Sequence, residues 1–200
     1  MKSLKVISSV GITAAVIALL LVAGCSSLQT GLPVPATATY SQQRSDFAGY
    51  VLGPDELPTG FMVIAQAPLG EKDVDVIMKA YQWQEGYREL YQSPGAKTTT
   101  EGIIEQYIVR FPAGNASAVI GAYESYFQNL TPSGKIIILP DPGIGDRSSA
   151  VKITTGNGGD AQYNIEFAKS DLYELFTFTG SPDEYQNLVK VAEQAETKIG

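Results

Sequence analysis

The sequence predicts an α+β domain, with a mainly antiparallel sheet and amphipathic helices packed on its faces. Two observations predict this class. Runs with the alternation and β-branched content of strands follow one another through short turns, most clearly between residues 149 and 179. Two stretches with apolar residues at helical spacing, residues 116–130 and 182–199, interrupt and end the series of strands. Because such a helix must bury its apolar stripe, each is expected to lie against the sheet.

The first half of the domain is predicted to hold three strands and one helix. After a turn at residues 55–60, these are a strand at 61–67, a helix at 73–84, and strands at 87–92 and 102–111. The helix is predicted from four apolar side chains at i, i+3, i+4 and i+7, namely Val74, Ile77, Met78 and Tyr81. Gly86 is expected to end it.

The second half is predicted to begin with the longer helix, for which Asn115 is the expected N-cap. The β-branched run at 135–139 is expected to be a buried strand. Three strands then form an antiparallel meander, at 149–155, 162–167 and 172–179, with a Gly-rich loop after the first.

Two side-chain patterns in this half carry further predictions. In the middle strand of the meander, Asn164 and Glu166 alternate with apolar residues, so one face of that strand is expected to be solvated. The last helix is expected to start from a capping box of Ser181 and Glu184, with Pro182 in its first turn.

The N-terminus is predicted to be an export signal. Lys2 and Lys5 precede an uncharged, mostly apolar run that ends in the small residues before Cys25, the chain's one cysteine. This order resembles a prokaryotic lipoprotein signal peptide, whose lipobox would be Leu21-Val22-Ala23-Gly24-Cys25. The resemblance implies that a diacylglyceryl group is attached to the Cys25 thiol and that the signal is cut before this residue. A retained transmembrane helix is the alternative, because residues 6–24 are numerous enough to span a bilayer.

The predicted organisation is therefore a signal peptide at 1–24, a flexible tether at 25–48 and a globular domain at 49–200. Residues 26–46 are rich in Ser, Thr, Pro, Ala and Gln and lack hydrophobic periodicity, which is typical of a spacer. Two acyl chains give stable membrane anchoring. We therefore expect the domain to be held at the extracytoplasmic side of the cell membrane by lipid.

The order of elements resembles that of the PsbP-like fold, which recurs in secreted prokaryotic lipoproteins. The resemblance covers about Tyr50 to Gly200 and depends on two short motifs, Leu57-Pro58-Thr59-Gly60-Phe61 and Gly143-Ile144-Gly145-Asp146. It implies a sandwich architecture and a role in binding or assembly. It carries no functional residue over to this chain.

Composition excludes several classes of function. The formal net charge is −7, whereas nucleic-acid binding requires a basic footprint, so no nucleic acid is expected as a partner. The chain has no histidine, and its cysteine is expected to carry lipid. Ser-His-Asp and Cys-His nucleophiles and imidazole metal ligands are therefore absent. We expect no enzyme activity and no cofactor, and a disulfide within the chain is impossible.

Three groups of residues are candidate sites. Trp83, Tyr87 and Arg88 combine aromatic and charged side chains and could form a ligand-binding face, although a buried Trp83 beside solvated charges is the alternative. Asn115 and Asn129 each begin an Asn-X-Ser/Thr glycosylation motif. The loop at 141–147 has two aspartates that could hold a hard cation, but a structural turn that joins two strands is the favoured interpretation.

These observations favour a lipid-anchored, non-catalytic binding or accessory module that reaches the membrane through its lipid and contacts an envelope protein. A solute- or ion-binding domain that serves a transporter or sensor is the first alternative. A hydrolase of the cell envelope that uses only carboxylates is the second. It would need two carboxyl groups about 5–10 Å apart across a cleft.

Overall fold

A computed structural model describes residues 46–94, 102–154, 161–180 and 184–200. The chain divides into two units, Met1–Pro35 and Ala36–Gly200, and all described residues belong to the second. The predicted signal peptide, Cys25, almost all of the tether, the Gly-rich loop, Ser181 and Pro182 lie outside the described residues. Within them, no helix is long and apolar enough to cross a membrane.

The described residues form a seven-stranded sheet in which every neighbouring pair is antiparallel, in the order β1-β2-β3-β7-β6-β5-β4. The strands are β1 Met62–Pro68, β2 Glu85–Gln92, β3 Ile103–Arg110, β4 Ile136–Ile138, β5 Arg147–Thr154, β6 Ala161–Lys169 and β7 Leu172–Gly180. The antiparallel α+β class and the meander of the last three strands are confirmed.

Helices cover both faces of this sheet. They are α1 Val76–Ala80, α2 Asn115–Leu130 and α3 Tyr185–Glu196. α2 buries Val119 and Ile120 in the same hydrophobic cluster as Tyr173 of β7. α3 buries Leu188 in the other cluster, with Phe176 of β7. Since side chains three apart on a strand point to opposite faces, the two helices lie on opposite sides of the sheet.

The chain before β1 also covers the α3 face. Residues 47–57, which we call the strap, place Phe47, Leu52 and Leu57 in the cluster that contains Leu188. Phe47 is fully buried, so the packed domain includes a residue that the predicted boundary at 49 left in the tether. Its ring stacks on Tyr87 with centroids 6.5 Å apart, and Arg110 lies over it at 5.3 Å.

α1 is much shorter than the predicted helix at 73–84. The Asp75 side chain accepts hydrogen bonds from the backbone N–H groups of Ile77 and Met78, which makes it the N-cap and excludes the preceding residues from the helix. Gly86 lies inside β2 and does not end the helix. A Cβ atom there would be 2.9 Å from the Ile108 carbonyl oxygen, so the close approach of β3 requires glycine.

Two further local predictions are wrong. The N-cap of α2 is Gly114, with a φ of +81°, and Asn115 is the first helical residue. Its side-chain Nδ2 donates to the Tyr81 carbonyl 2.8 Å away. The run predicted as a buried strand is the short edge strand β4, where Ile137 and Ile138 are exposed. A β-branched run indicates a strand without indicating its place in the sheet.

Candidate functional site

A row of polar side chains crosses the α3 face of the sheet beneath the strap. Glu89 of β2 lies directly opposite Gln106 of β3, and Glu174 of β7 is diagonal to Gln106. All three are buried. Polar groups are costly in a protein core unless they are hydrogen-bonded. The hydrogen-bond partners of these three side chains therefore indicate the structural role of the row.

Gln106 uses both ends of its amide to hold the strap. Its Oε1 accepts from the backbone N–H of Leu52 at 3.2 Å and from the Tyr91 hydroxyl at 2.8 Å. Its Nε2 donates to the Tyr50 carbonyl at 3.3 Å and to Glu174 Oε2 at 2.9 Å. The Tyr91 hydroxyl also lies 3.2 Å from the Leu52 carbonyl oxygen. One amide therefore connects two strands of the sheet to the backbone of the strap.

Glu174 is the most deeply buried carboxyl of the row. Its exposed fraction is 0 %, and burial raises its pKa to about 8, against the smaller opposing effects of the Gln106 hydrogen bond and the charge of Lys198. Among the described residues, its Oε1 has no hydrogen-bond partner. With a pKa of about 8, the carboxyl of Glu174 is mostly protonated at neutral pH.

The Tyr91 hydroxyl beside this row also stays protonated. Desolvation and the nearby carboxylates of Glu89, Glu174 and Glu56 raise the pKa of Tyr91 far above its usual value.

A second buried carboxyl lies on the α2 face. Glu166 of β6 accepts hydrogen bonds from the Ser149 hydroxyl at 2.7 Å and the Tyr173 hydroxyl at 2.8 Å. Burial raises its pKa to about 7, although both hydrogen bonds act in the opposite direction. The prediction that Asn164 and Glu166 form a solvated face is wrong, because both are buried on the side of the sheet that α2 covers.

Part of the α2 face keeps charged side chains in contact with solvent. Arg88 of β2 pairs with Glu105 of β3, with 3.5 Å between Nη1 and Oε1 and with side-chain exposures of 35 % and 17 %. Burial raises the pKa of Glu105, and hydrogen bonds to Tyr107 and Thr177 and the charge of Arg88 oppose this rise. This Arg88–Glu105 surface offers a cation, a carboxylate and hydroxyl groups on one rigid part of the sheet. That combination can recognise a polar ligand or partner.

The three residues predicted as a ligand-binding face do not share a surface. Arg88 lies on the α2 face as described, and Trp83 is half-buried against the cluster on that side. Tyr87 is only 1 % exposed and lies on the α3 face beneath Phe47. Neighbouring residues of a strand point to opposite faces, so this separation follows once residues 87 and 88 are both placed in β2.

The remaining predicted sites lie in local structure. Asn115 is half-buried with its amide bound to Tyr81, whereas Asn129 is exposed near the end of α2. In the loop at 141–147, Asp141 accepts from the Gly143 N–H at 2.9 Å and Asp146 accepts from the Ser170 N–H at 2.8 Å. The first bond is typical of a turn, and the second joins this loop to the turn between β6 and β7. No three potential metal-ligating side chains come together in the part of the chain that the structure describes.

An open groove of about 520 Å³ lies at the end of the sheet where α2 begins. Its volume is within the usual range for small-molecule sites. However, turn residues such as Gly114 and Ser170 form most of its lining, and the carboxylate of Asp171 is paired with Arg110 at 3.5 Å. The groove therefore lacks the converging polar side chains that orient a ligand.

Comparison with known proteins shows a similarity in fold. No family model and no curated protein matches the chain. Among solved structures, the chain is similar to the extracellular domain of PknH from Mycobacterium tuberculosis, with 13 % sequence identity and a TM-score of 0.56. The match covers 84 % of this chain and 100 % of that domain. At this identity the likeness establishes a shared fold.

Proposed function

We propose that the chain is a lipid-anchored, non-catalytic binding or accessory module on the outer face of the cell membrane. The observation that carries the proposal is the match in fold to the whole of an extracellular domain, in a chain that begins with a lipobox-like sequence ending at Cys25. The same fold can thus serve outside a bacterial membrane, and two acyl chains on Cys25 would hold it there. The resemblance to PsbP-like domains is retained in this proposal as a prediction from the motifs at 57–61 and 143–146.

The positions of the buried carboxyls favour binding over hydrolysis. A carboxylate-based hydrolase needs an acid and a second carboxylate facing one substrate across a cleft. Here the two carboxyls with pKa values of about 7 and 8, Glu166 and Glu174, lie on opposite faces of the sheet. One substrate cannot contact both. Their raised pKa values are explained by burial in two separate cores.

The lipid anchor is tested by changing Cys25 to Ser in the full-length protein. We expect the variant to leave the membrane fraction, because no acyl chain can be attached to serine. Ser26→Ala is the matched control and should stay in the membrane fraction. Protease added outside intact spheroplasts should degrade the wild-type domain. Membrane retention of Cys25→Ser would favour the alternative of a retained helix, and protection from the protease would contradict the extracytoplasmic location.

A solute- or ion-binding domain that serves a transporter or sensor is the second candidate, and the Arg88–Glu105 surface favours it. For both candidates we propose this surface as the contact site. A photo-crosslinking residue at position 90, which lies opposite Glu105 in the register, should give a defined product in intact cells. The same probe at the exposed position 71 should give none. The product should also disappear in an Arg88→Ala background. Equal crosslinking from both positions would contradict a specific site here.

A further inference from the structure

One buried amide binds the backbone of the strap to the sheet. Gln106 binds the strap backbone at Tyr50 and Leu52, and the same Nε2 group binds Glu174. Glu174 is therefore connected to the strap backbone through one amide. Because this hydrogen bond favours the ionised carboxyl, release of the strap must come from the cost of burying the charge. The strap is also held by the packing of its buried apolar side chains, by the Tyr91 hydroxyl beside the Leu52 carbonyl, by Arg110 over the Phe47 ring, and by an ion pair of 2.6 Å between Glu56 and Lys198.

We propose that the strap is a pH-sensitive element, docked on the α3 face while Glu174 carries its proton and released from it when Glu174 ionises. Release would expose the part of the sheet that contains Tyr87, Tyr91 and Gln106, and it would add the strap's residues to the tether.

The surroundings of Glu174 explain why ionisation would act on the strap. Among the described residues, its buried carboxylate would have a hydrogen bond at Oε2 and none at Oε1, which is a costly state that water or a cation must relieve. β6 offers no such group, because the residue opposite Glu174 in the register is Phe167. On β2, Glu89 is itself acidic. Gln106 joins this row to the strap backbone, so lifting the strap would open the row to water.

The cations near this row lead to the same conclusion. Lys198, which follows α3, is close enough to lower the pKa of Glu174. Its ammonium group is paired with Glu56 of the strap, so moving it toward an ionised Glu174 would remove an attachment of the strap. Arg110 on the same face of β3 is already paired with Glu85 and Asp171. The buried charge can be relieved by water that enters when the strap lifts, or by Lys198 when it leaves Glu56. Either change weakens the docking of the strap.

Glu166 provides a matched control on the opposite face. It is also a buried carboxyl with a raised pKa, about 7, but its hydrogen bonds go to Ser149 and Tyr173 and it does not contact the strap. Glu166→Gln and Glu174→Gln therefore both replace a buried carboxyl group by an amide. They differ in whether the changed residue is bound to Gln106.

The test is hydrogen exchange of the full-length protein in detergent at pH 6 and pH 9, with each rate divided by its intrinsic pH dependence. At pH 9, about ten ionised Glu174 carboxyls are expected for each protonated one, given a pKa of about 8. We expect protection of residues 47–57 to fall at least tenfold in the wild type and in Glu166→Gln. Protection should be unchanged in Glu174→Gln, and β3 should stay protected in all three proteins.

Three results would overturn the proposal. These are constant protection of the strap in the wild type, an equal loss in Glu174→Gln, and a parallel loss in β3 that indicates global unfolding. If Glu174→Gln does not fold, the wild type together with an NMR titration of Glu174 decides the question. The carboxyl carbon shift of Glu174 in an NMR titration should have the same midpoint as the release of the strap. Midpoints separated by more than one pH unit would refute the coupling.

Discussion

Raising the pH from 5 to 8 should lower the free energy of unfolding, because Glu166 and Glu174 keep their protons to a higher pH in the folded protein than in the unfolded chain. Burial raises their pKa values from 4.5 to about 7 and about 8. The folded state therefore binds these protons more tightly than the unfolded state does. The stabilisation is fully present below pH 4.5 and is lost progressively as the pH rises to each folded-state pKa.

The magnitude follows from the same two values. Each carboxyl contributes a slope of at most about 1.4 kcal/mol per pH unit between 4.5 and its own folded-state pKa. Between pH 5 and 7 both contribute, so stability should fall by up to about 5 kcal/mol. Between pH 7 and 8 only Glu174 contributes, and the slope should halve. The raised pKa of Glu105 acts in the same direction. Burial raises the pKa of Glu56, but hydrogen bonds from Lys198 and Gly53 outweigh burial, and its pKa is lowered. The stabilisation from Glu56 is therefore lost only as the pH falls below 4.5, outside the range from pH 5 to 8.

Urea denaturation of the full-length protein at four pH values, followed by the fluorescence of the half-buried Trp83, measures this dependence. Glu174→Gln should remove the slope between pH 7 and 8 and halve it below pH 7. Glu166→Gln should halve the slope below pH 7 and leave it intact above. Glu71→Gln changes an exposed carboxyl and should behave like the wild type. A stability that is constant or rises between pH 5 and 8 would refute the reasoning, as would Gln variants that keep the full slope.

Two further substitutions test the packing. Gly86→Ala places a Cβ atom 2.7 Å from Leu69 and 2.9 Å from the Ile108 carbonyl oxygen, so it should destabilise the protein by about 1–3 kcal/mol in urea denaturation. Gly49→Ala, with no atom within 4 Å of the new group, should change stability little, and equal effects would contradict the close β2–β3 approach. Phe47→Ala removes a fully buried ring and should cost about 3–5 kcal/mol. A loss below about 1 kcal/mol would show that residue 47 is not part of the packed domain.

The strands and the two long helices could be predicted because their apolar periodicity is local. The stripe of α2 that includes Val119 and Ile120 is buried as its spacing predicts. The same local reasoning fails at Glu166, because a polar residue in an alternating strand indicates a solvated face only when nothing covers that face. The cover comes from α2, and no property of β6 alone specifies it.

The polar row beneath the strap could not be predicted for a related reason. Gln106 and Leu52 are 54 positions apart in the chain, and Gln106 and Glu174 are 68 apart. In the sequence, Gln106 is one polar residue in an alternating strand, where a solvent-facing position is the ordinary interpretation. The sequence signal that could have placed the strap is Phe47 with Leu52, two large apolar residues at the end of a polar spacer. Their burial requires a partner surface.

The chemistry of the row explains why the strap occupies one position. Apolar side chains such as Phe47 and Leu57 favour burial in any register that covers them, because hydrophobic attraction is non-directional. Hydrogen bonds to the backbone are directional, and here the Gln106 amide accepts from the Leu52 N–H and donates to the Tyr50 carbonyl. A slip of one residue would leave these buried groups without their partners, at about 1–3 kcal/mol for each. The polar row thus fixes the register of the strap.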